Sequence, residues 1–313
     1  MGLGLFGHRQ VSKNIWDESE EQYRRGAFKI YWELLDEVQL YQWEMISGNK
    51  KISGNLLRNM CLFSIDWLKR RMNFGHLRGL SLGCSESDFP PERIFMETGM
   101  FDEFEVMDIA KGLLKRQQKR MENLGIKGIS YIYQDLNKVK FKKKYDFIWA
   151  LGTIHHIKNL EGLFFEINKA LSQKGIFVMR EYIGPNRIQL RPWQLLMVNL
   201  VLWLLPKRLK IQYDGSLKRR QGQVDIKALI EHDPSEAIRS EDIVPLMRRY
   251  FTVLHYAKTG GTLLHPLLSN IASNFEGSRE GKTALRILIY LEKILISKGI
   301  IPSDYCFAIC ARK

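Results

Sequence analysis

Short apolar runs alternate with longer amphipathic stretches between residues 78 and 180, and this alternation constrains the fold more than any other feature of the chain. The intervening stretches, notably residues 109–123 and 160–171, have the spacing of amphipathic helices. Strands that alternate with helices in this way are typical of β-α-β units, which build a parallel sheet. The predicted strands cover residues 78–82, 104–107, 130–133, 146–150 and 175–179.

The regions on either side of this core lack the alternation and predict helical additions. Residues 251–255 and 304–311 have the pattern of two closing strands. Further helices are predicted over residues 16–45, 56–71 and 241–249, the last with Ser240 as its N-cap. We expect four parts: an N-terminal helical cap (1–75), a ligand-binding core (76–180), a cap insertion (181–240), and a C-terminal part of the core (241–313) with a helical insertion at 262–299.

Composition indicates which binding partners and which cellular compartment to expect. The formal net charge is +14, which attracts nucleic acid, anionic lipid or an anionic substrate, although solvated basic surface is an equal alternative for each basic cluster. The four cysteines form no CxxC pair, so we expect neither a zinc site nor a disulfide framework, and a reduced cytoplasmic protein is the default. No signal peptide is expected. Residues 193–210, apolar and then basic, either contact a membrane peripherally or form a buried cap helix, which we favour.

A turn of small residues follows the first predicted strand and marks a candidate ligand site. Small residues there, over residues 80–87, let backbone amides approach a ligand at the carboxyl ends of the strands. Asp108 ends the second strand, where a carboxylate can accept both ribose hydroxyls of an adenosine ligand. Asp135 ends the third strand, where it can accept the adenine amino group. The alternative for each aspartate is a turn or N-cap role, but the order of the two along the chain favours a nucleotide site.

These residues resemble the class I S-adenosylmethionine-dependent methyltransferases, in the type 11 branch that acts on small molecules. The glycine loop of that family, LDLGCGTG, stands here as LSLGCSES over residues 80–87, with serines in place of an acid and two glycines. Residues 145–157, which end in His-His-Ile, and residues 174–180 resemble its fourth and fifth strands. A softer resemblance, through residues 181–187 and 260–266, is to methyltransferases of bacterial sugar and polysaccharide biosynthesis.

The resemblance implies a fold, a cofactor and a set of binding residues. The fold is a Rossmann-like, seven-stranded, mostly parallel sheet with helices on both faces and helical cap insertions. The cofactor is S-adenosylmethionine. The cofactor-binding residues that it implies are Gly83, Cys84, Ser85, Ser87, Asp108, Ile109, Asp135, Leu136 and Leu151.

Candidate catalytic residues follow the fourth and fifth strands. Because S-adenosylmethionine carries an activated methyl group, the protein mainly positions the acceptor, and a hydroxyl acceptor also benefits from a general base. His155 and His156 are candidates because a neutral histidine is the natural base near pH 7; capping or packing is the alternative. Glu181 either acts as base or binds an acceptor hydroxyl. We expect no metal, and the candidate substrate-binding residues are Arg180, Tyr182, Arg187 and His265.

Three functions follow from these patterns. Methyl transfer to a small-molecule or saccharide acceptor, at a hydroxyl oxygen, is favoured. Methylation of RNA, such as tRNA, is suggested by the basic charge, but the sequence contains no recognisable RNA-binding module. A non-catalytic scaffold is suggested by the serine-substituted loop, because fold alone does not decide function.

Overall fold

The computed structural model describes residues 31–72 and 75–313, and the centre of the molecule is a seven-stranded sheet in the order β3-β2-β1-β4-β5-β7-β6. β7 is antiparallel to β5 and β6, and the other neighbouring strands are parallel. The predicted seven-stranded, mostly parallel α/β sheet is confirmed. The strands are β1 (Leu77–Leu82), β2 (Phe101–Asp108), β3 (Ile129–Tyr133), β4 (Tyr145–Leu151), β5 (Leu171–Tyr182), β6 (Phe251–Gly260) and β7 (Tyr305–Arg312).

The strand order reverses beside β1. The chain runs outward through β2 to β3 at one edge and then returns to place β4 on the other side of β1. In open α/β sheets a ligand lies beyond the carboxyl ends of the strands at such a reversal. The loops that follow β1, β2 and β4 therefore converge at one place.

Both faces of the central strands are covered, which explains their apolar runs. In β4, Phe147 and Trp149 join one core cluster, while Ile148 and Ala150 join the cluster on the opposite face. Parallel strands that are buried on both faces need apolar residues at consecutive positions.

The helices divide between the two faces of the sheet and a cap. Buried residues of α2 and α3 join one face, and those of α5 and α8 join the other. The helices are α1 (Asp36–Ser47), α2 (Leu56–Lys69), α3 (Pro91–Glu97), α4 (Lys111–Asn123), α5 (Leu160–Ala170), α6 (Pro192–Leu204), α7 (Ile226–His232), α8 (Ile243–Tyr250), α9 (Leu264–Leu268) and α10 (Arg279–Ser297).

A third apolar cluster forms the cap at the carboxyl end of β5. It joins residues of α1, α6, α9 and α10 to Tyr182 and Tyr305, which lie at the ends of β5 and β7. Within the described residues 31–72, α1 contributes both to this cap, through Val38 and Tyr41, and to the sheet face, through Trp43 and Ile46. α2 packs on a face of the sheet, because its apolar residues, among them Met60 and Ile65, meet the strands there.

Two local predictions need correction. The helix predicted over residues 16–45 is described only from residue 31, and there α1 begins at Asp36 after the extended residue Leu35. Ser240 is not an N-cap, so that prediction is wrong. Its hydroxyl donates to the carbonyl of Gly184 at 2.9 Å, and a 3-10 turn over Ser240–Asp242 precedes α8.

α6 is buried on one side only. Val198 and Leu202 pack in the cap, whereas Leu196, Leu200 and Trp203 are exposed by 72%, 55% and 75%. The helix is therefore a cap helix with an outward apolar face. Within the described ranges, none of the helices combines the length and the apolar character needed to cross a membrane.

Candidate active site

Gly83 shapes the turn after β1 and brings it against the loop after β4. Its φ is +91°, and a Cβ at this position would collide with Oγ1 of Thr153. Its amide donates to the carbonyl of Met107 at 2.8 Å. Only glycine satisfies both the left-handed backbone and the close approach.

Asp108 lies at the carboxyl end of β2 and holds the same turn. Its Oδ2 accepts a hydrogen bond from the Cys84 amide at 2.8 Å, and its Oδ1 accepts one from the Ala110 amide at 2.7 Å. The turn role is therefore present. It does not preclude ligand binding, because each carboxylate oxygen can accept more than one hydrogen bond.

A cavity of about 340 Å³, here called the cofactor cavity, lies beyond β2, β3 and β4. It brings together two carboxylates, Asp108 and Asp135, and two apolar side chains, Ile109 and Leu136. Carboxylates accept hydroxyl and amino donors and apolar walls flank a base, so the residues fit the adenosyl group of S-adenosylmethionine. The cavity is lined by Asp108, Ile109, Gln134, Asp135, Leu136, Asn137, Gly152, Thr153, His156, Ile157, Lys158, Pro234, Ser235 and Ile238.

The glycine-loop residues occupy a different place from this cavity. A smaller cavity of about 110 Å³ includes Gly83, Cys84, Ser85 and Leu151 among its lining residues. Ser87 lines neither cavity. Its carbonyl accepts hydrogen bonds from Gln117 and Arg120, so the structure gives Ser87 a contact with α4.

A third cavity, of about 270 Å³, lies at the ends of β4, β5 and β7 and is here called the acceptor cavity. It shares Gly152 with the cofactor cavity. His155 and three of the predicted substrate-binding residues are brought together there. Its lining is Tyr31, Glu33, Gly152, His155, Arg180, Tyr182, Ile188, Glu236, His265 and Tyr305.

Glu181 lies beneath the loop that follows β4 and fixes it. Its side chain is fully buried. Oε1 accepts the amides of Thr153 and Ile154 at 2.9 and 2.8 Å, and Oε2 lies 2.8 Å from Nδ1 of His155. Glu181 is not among the residues that line the cofactor or acceptor cavity. This geometry favours a positioning role over the predicted role of base.

The two histidines face different cavities although their ring centroids are only 4.1 Å apart. Burial opposes protonation of His155, but the hydrogen bond and charge of Glu181, with the charge of Glu236, outweigh it and raise the pKa of His155. Burial, together with the charge of His155, holds the pKa of His156 well below its usual value. His156 is therefore neutral near pH 7, and His155 is the ring that holds a proton more readily.

The cations of the acceptor cavity are largely neutralised. Arg180 forms an ion pair with Glu33 and donates to Oε1 of Gln42 at 3.0 Å. Its buried Nε has no hydrogen-bond partner within the described part of the chain. His265 stacks on Trp32, and burial lowers its pKa to about 4. The described residues that line the cavity therefore carry little unbalanced positive charge.

Arg187 differs from the other predicted substrate-binding residues, because it does not line the acceptor cavity. Its Nη1 donates to the backbone carbonyls of Pro234 and Glu236 at 2.9 and 3.0 Å. The guanidinium therefore holds the segment that carries Glu236 close to His155.

Sequence reasoning missed the acidic segment beside the two histidines. Glu236 lines the acceptor cavity, and Oδ2 of Asp233 lies 3.5 Å from Nδ1 of His156. The run Asp-Pro-Ser-Glu is a turn signal, and two acids in one turn of a basic chain were a possible indication of a site. Nothing in their spacing from His155 pointed to contact.

Solved structures of low sequence identity share this fold. A protein from Galdieria sulphuraria assigned as a sarcosine dimethylglycine methyltransferase is 12% identical, with 95% of this chain and 98% of that chain covered and a TM-score of 0.52. The [4+2]-cyclase SpnF is 11% identical, with 100% and 99% covered and a TM-score of 0.51. An S-adenosylmethionine-dependent methyltransferase from Clostridium acetobutylicum is 17% identical, with a TM-score of 0.36. The match covers 40% of this chain and 50% of that chain, so this chain spans half the length of that protein. At such identities the likeness to the first two structures shows the fold alone.

The family comparison is more specific. No curated protein sequence matches the chain. The family described as a methyltransferase domain matches residues 80–179, which run from β1 to β5 and include the glycine turn, Asp108, Asp135 and both histidines. Residues 80–179 therefore carry a methyltransferase domain, and the residues around it fit S-adenosylmethionine as the cofactor.

Proposed function

We propose that the enzyme methylates a hydroxyl oxygen of a small molecule, with a saccharide as the favoured class, bound in the acceptor cavity. The observation that carries this proposal is the position of His155. Its ring lines the acceptor cavity, and Gly152, three residues earlier, lines both that cavity and the cofactor cavity. A hydroxyl is a weak nucleophile because of its high pKa, so a base at this place serves a hydroxyl acceptor in particular.

The size and lining of the acceptor cavity support a small, hydroxylated molecule. Its volume of about 270 Å³ is just below the range of about 300–1,000 Å³ usual for small-molecule sites, which points to a small acceptor. The carboxylates of Glu33 and Glu236 accept hydroxyl donors, and the rings of Tyr182 and Tyr305 offer apolar faces. This combination suits a monosaccharide-sized acceptor.

S-adenosylmethionine supplies the activated methyl group, and the protein has to orient the acceptor and remove its proton. Glu181 holds Nδ1 of His155, which directs Nε2 towards Glu236, 3.7 Å away. Neutral His155 is the group placed to take the acceptor proton. Its pKa is raised, so we expect the rate to increase as the pH rises through that pKa.

Methylation of RNA and a non-catalytic scaffold stay as alternatives. The basic surface of α4 is partly neutralised, since Arg120 and Arg116 pair with Asp88 and Glu86 at 3.0 and 3.7 Å. This pairing supports the small-molecule function over RNA. Co-purification of tRNA that is lost at moderate salt would favour RNA, and absence of S-adenosylmethionine binding in calorimetry would favour a scaffold.

The proposal is tested by single-turnover transfer of labelled methyl groups to a panel of monosaccharides, sugar phosphates, amines and thiols at saturating S-adenosylmethionine. We expect a sugar hydroxyl to be methylated and His155→Ala to slow that transfer by about 10²–10⁴-fold. His232→Ala, which changes an exposed histidine of α7, is the control. Transfer to amines alone, at the same rate in the wild type and in His155→Ala, would overturn the proposal.

A further inference from the structure

Three side chains converge where the cofactor and acceptor cavities meet. Nε2 of His155 lies 3.7 Å from Oε1 of Glu236, and Nε2 of His156 lies 4.0 Å from Oε2 of the same carboxylate. One nitrogen or oxygen from each of the three residues falls within 4.8 Å of the others. In a tetrahedral site with bonds of about 2.0–2.2 Å, neighbouring ligand atoms are about 3.3–3.6 Å apart. A contraction of at most about 1.5 Å in these separations is enough to reach that geometry.

The opposite nitrogen of each ring is already held. Nδ1 of His155 lies 2.8 Å from Oε2 of Glu181. Nδ1 of His156 lies 3.2 Å from Oγ of Ser235 and 3.5 Å from Oδ2 of Asp233. A metal-binding histidine characteristically donates its second ring N–H to a carboxylate, a carbonyl or a water, which fixes the ring and leaves the other nitrogen free for the metal. At Nδ1, both rings have a polar partner of this kind.

The charge of the cluster points the same way. Glu181, Asp233 and Glu236 place three carboxylates around two imidazole rings in a largely buried site. Ionised carboxylates are costly to bury unless a positive charge balances them. Two neutral imidazoles and one carboxylate form a ligand set that binds divalent transition metals and leaves coordination positions open.

We propose that His155, His156 and Glu236 bind one divalent first-row transition metal ion. The ion would lie between the cofactor cavity, which His156 lines, and the acceptor cavity, which His155 and Glu236 line. The proposal rests on the proposed function in that the open position is filled by the acceptor hydroxyl. A bound metal lowers the pKa of an oxygen ligand, so a hydroxyl bound to the ion would lose its proton to solvent water instead of to a histidine base. Its oxygen would then take the methyl group from the sulfonium, and S-adenosylhomocysteine would leave. This assignment replaces the expectation of no metal.

The test measures metal binding without any acceptor. The full chain is treated with a chelator, dialysed and titrated with Co²⁺, whose visible absorption reports nitrogen and oxygen ligands in a low-symmetry site, and Zn²⁺ is then added in competition. We expect about one ion per chain by elemental analysis. His156→Ala and Glu236→Gln should each weaken Co²⁺ binding at least 100-fold, and Asp233→Asn should weaken it about 10–100-fold.

The matched control is His232→Ala, which removes an exposed histidine from the residue just before Asp233 and should leave Co²⁺ binding unchanged. Circular dichroism and urea unfolding establish that each variant is folded. Equal Co²⁺ binding by the wild type and His156→Ala, or no binding by the wild type, overturns the metal site. The proposed function fails separately: a chain that binds Co²⁺ but methylates only amines retains the metal site and loses the hydroxyl acceptor.

Discussion

Replacement of Glu181 by glutamine tests whether this carboxylate positions His155. The wild-type carboxylate accepts two backbone amides through Oε1 and bonds the imidazole through Oε2. Glutamine keeps one acceptor oxygen, but its NH₂ group must face either the two backbone amides or the imidazole. The donors on that side then lose their acceptor. Hydrogen bonds to charged groups contribute about 1.5–3 kcal/mol, and an unsatisfied buried donor costs about 1–3 kcal/mol. We therefore expect Glu181→Gln to lower the free energy of unfolding by about 2–4 kcal/mol.

The same substitution should lower the pKa of His155, because burial then acts with less opposition. In the wild type the folded pKa lies above the unfolded value of 6.5, so protonated His155 stabilises the fold. That contribution is complete below the unfolded pKa and is lost as the pH rises through the folded pKa. Urea unfolding at a series of pH values and an NMR titration of the ring should show both the pKa and this slope reduced in Glu181→Gln.

Glu292→Gln is the matched control for these measurements. Glu292 is also fully buried, and its carboxylate accepts the amides of Gly261, Leu263 and Leu264 at 2.7–3.0 Å. It lines neither the cofactor nor the acceptor cavity. We expect a comparable loss of stability in Glu292→Gln with the pKa of His155 unchanged. If Glu181→Gln retains the raised pKa of His155 and unfolds within about 0.5 kcal/mol of the wild type, the positioning role is refuted.

Three further predictions address the cofactor, the core and the surface. Asp108→Ala should weaken S-adenosylmethionine binding by about 1.5–3 kcal/mol in calorimetry, and an unchanged dissociation constant would remove Asp108 from the site. Burial raises the pKa of Glu92 from 4.5 in the unfolded chain to about 7 in the folded protein. Protonated Glu92 therefore stabilises the fold, fully so below pH 4.5, and this contribution is lost as the pH rises through 7. Glu92→Gln should therefore be more stable than the wild type at pH 8, by up to about 3 kcal/mol, but not at pH 4, and equal unfolding curves at pH 8 would contradict this. The exposed face of α6, followed by Lys207–Lys210, should bind vesicles rich in anionic lipid, and Trp203→Glu should reduce co-sedimentation with them; equal sedimentation of both proteins would count against membrane contact.

Strand burial explains which parts of the fold the sequence predicts well. β4, predicted over residues 146–150, runs over Tyr145–Leu151, because both faces of this central strand need apolar residues. β6 was predicted only over residues 251–255, yet it extends over Phe251–Gly260. It lies at the edge of the sheet, where polar residues such as Lys258 point outward and weaken the apolar pattern.

Some residues of the candidate site could likewise be predicted from the sequence, and others could not. The meeting of Asp108 and Asp135 in one cavity could be predicted, because both follow strands whose ends must converge. Glu236 could not, since its place depends on tertiary contacts between distant segments: the amide of Ile238 donates to the carbonyl of His155 at 3.2 Å, and Arg187 holds the carbonyl of Glu236. These contacts leave no periodic or spacing signal in the chain.

At the end of β5, the alternation of side chains along the strand gives the consecutive residues Arg180, Glu181 and Tyr182 different roles. Leu151 pairs with Arg180, so the residues that follow both strands meet above this pair. Successive side chains of a strand point to opposite faces. Arg180 and Tyr182 accordingly both line the acceptor cavity, whereas Glu181 turns to the other face and reaches the loop that carries His155. A register shifted by one residue would exchange these faces and leave the ring of His155 without its carboxylate. Because of this alternation, the side chains of Glu181 and Tyr182 cannot both line the same wall of the acceptor cavity.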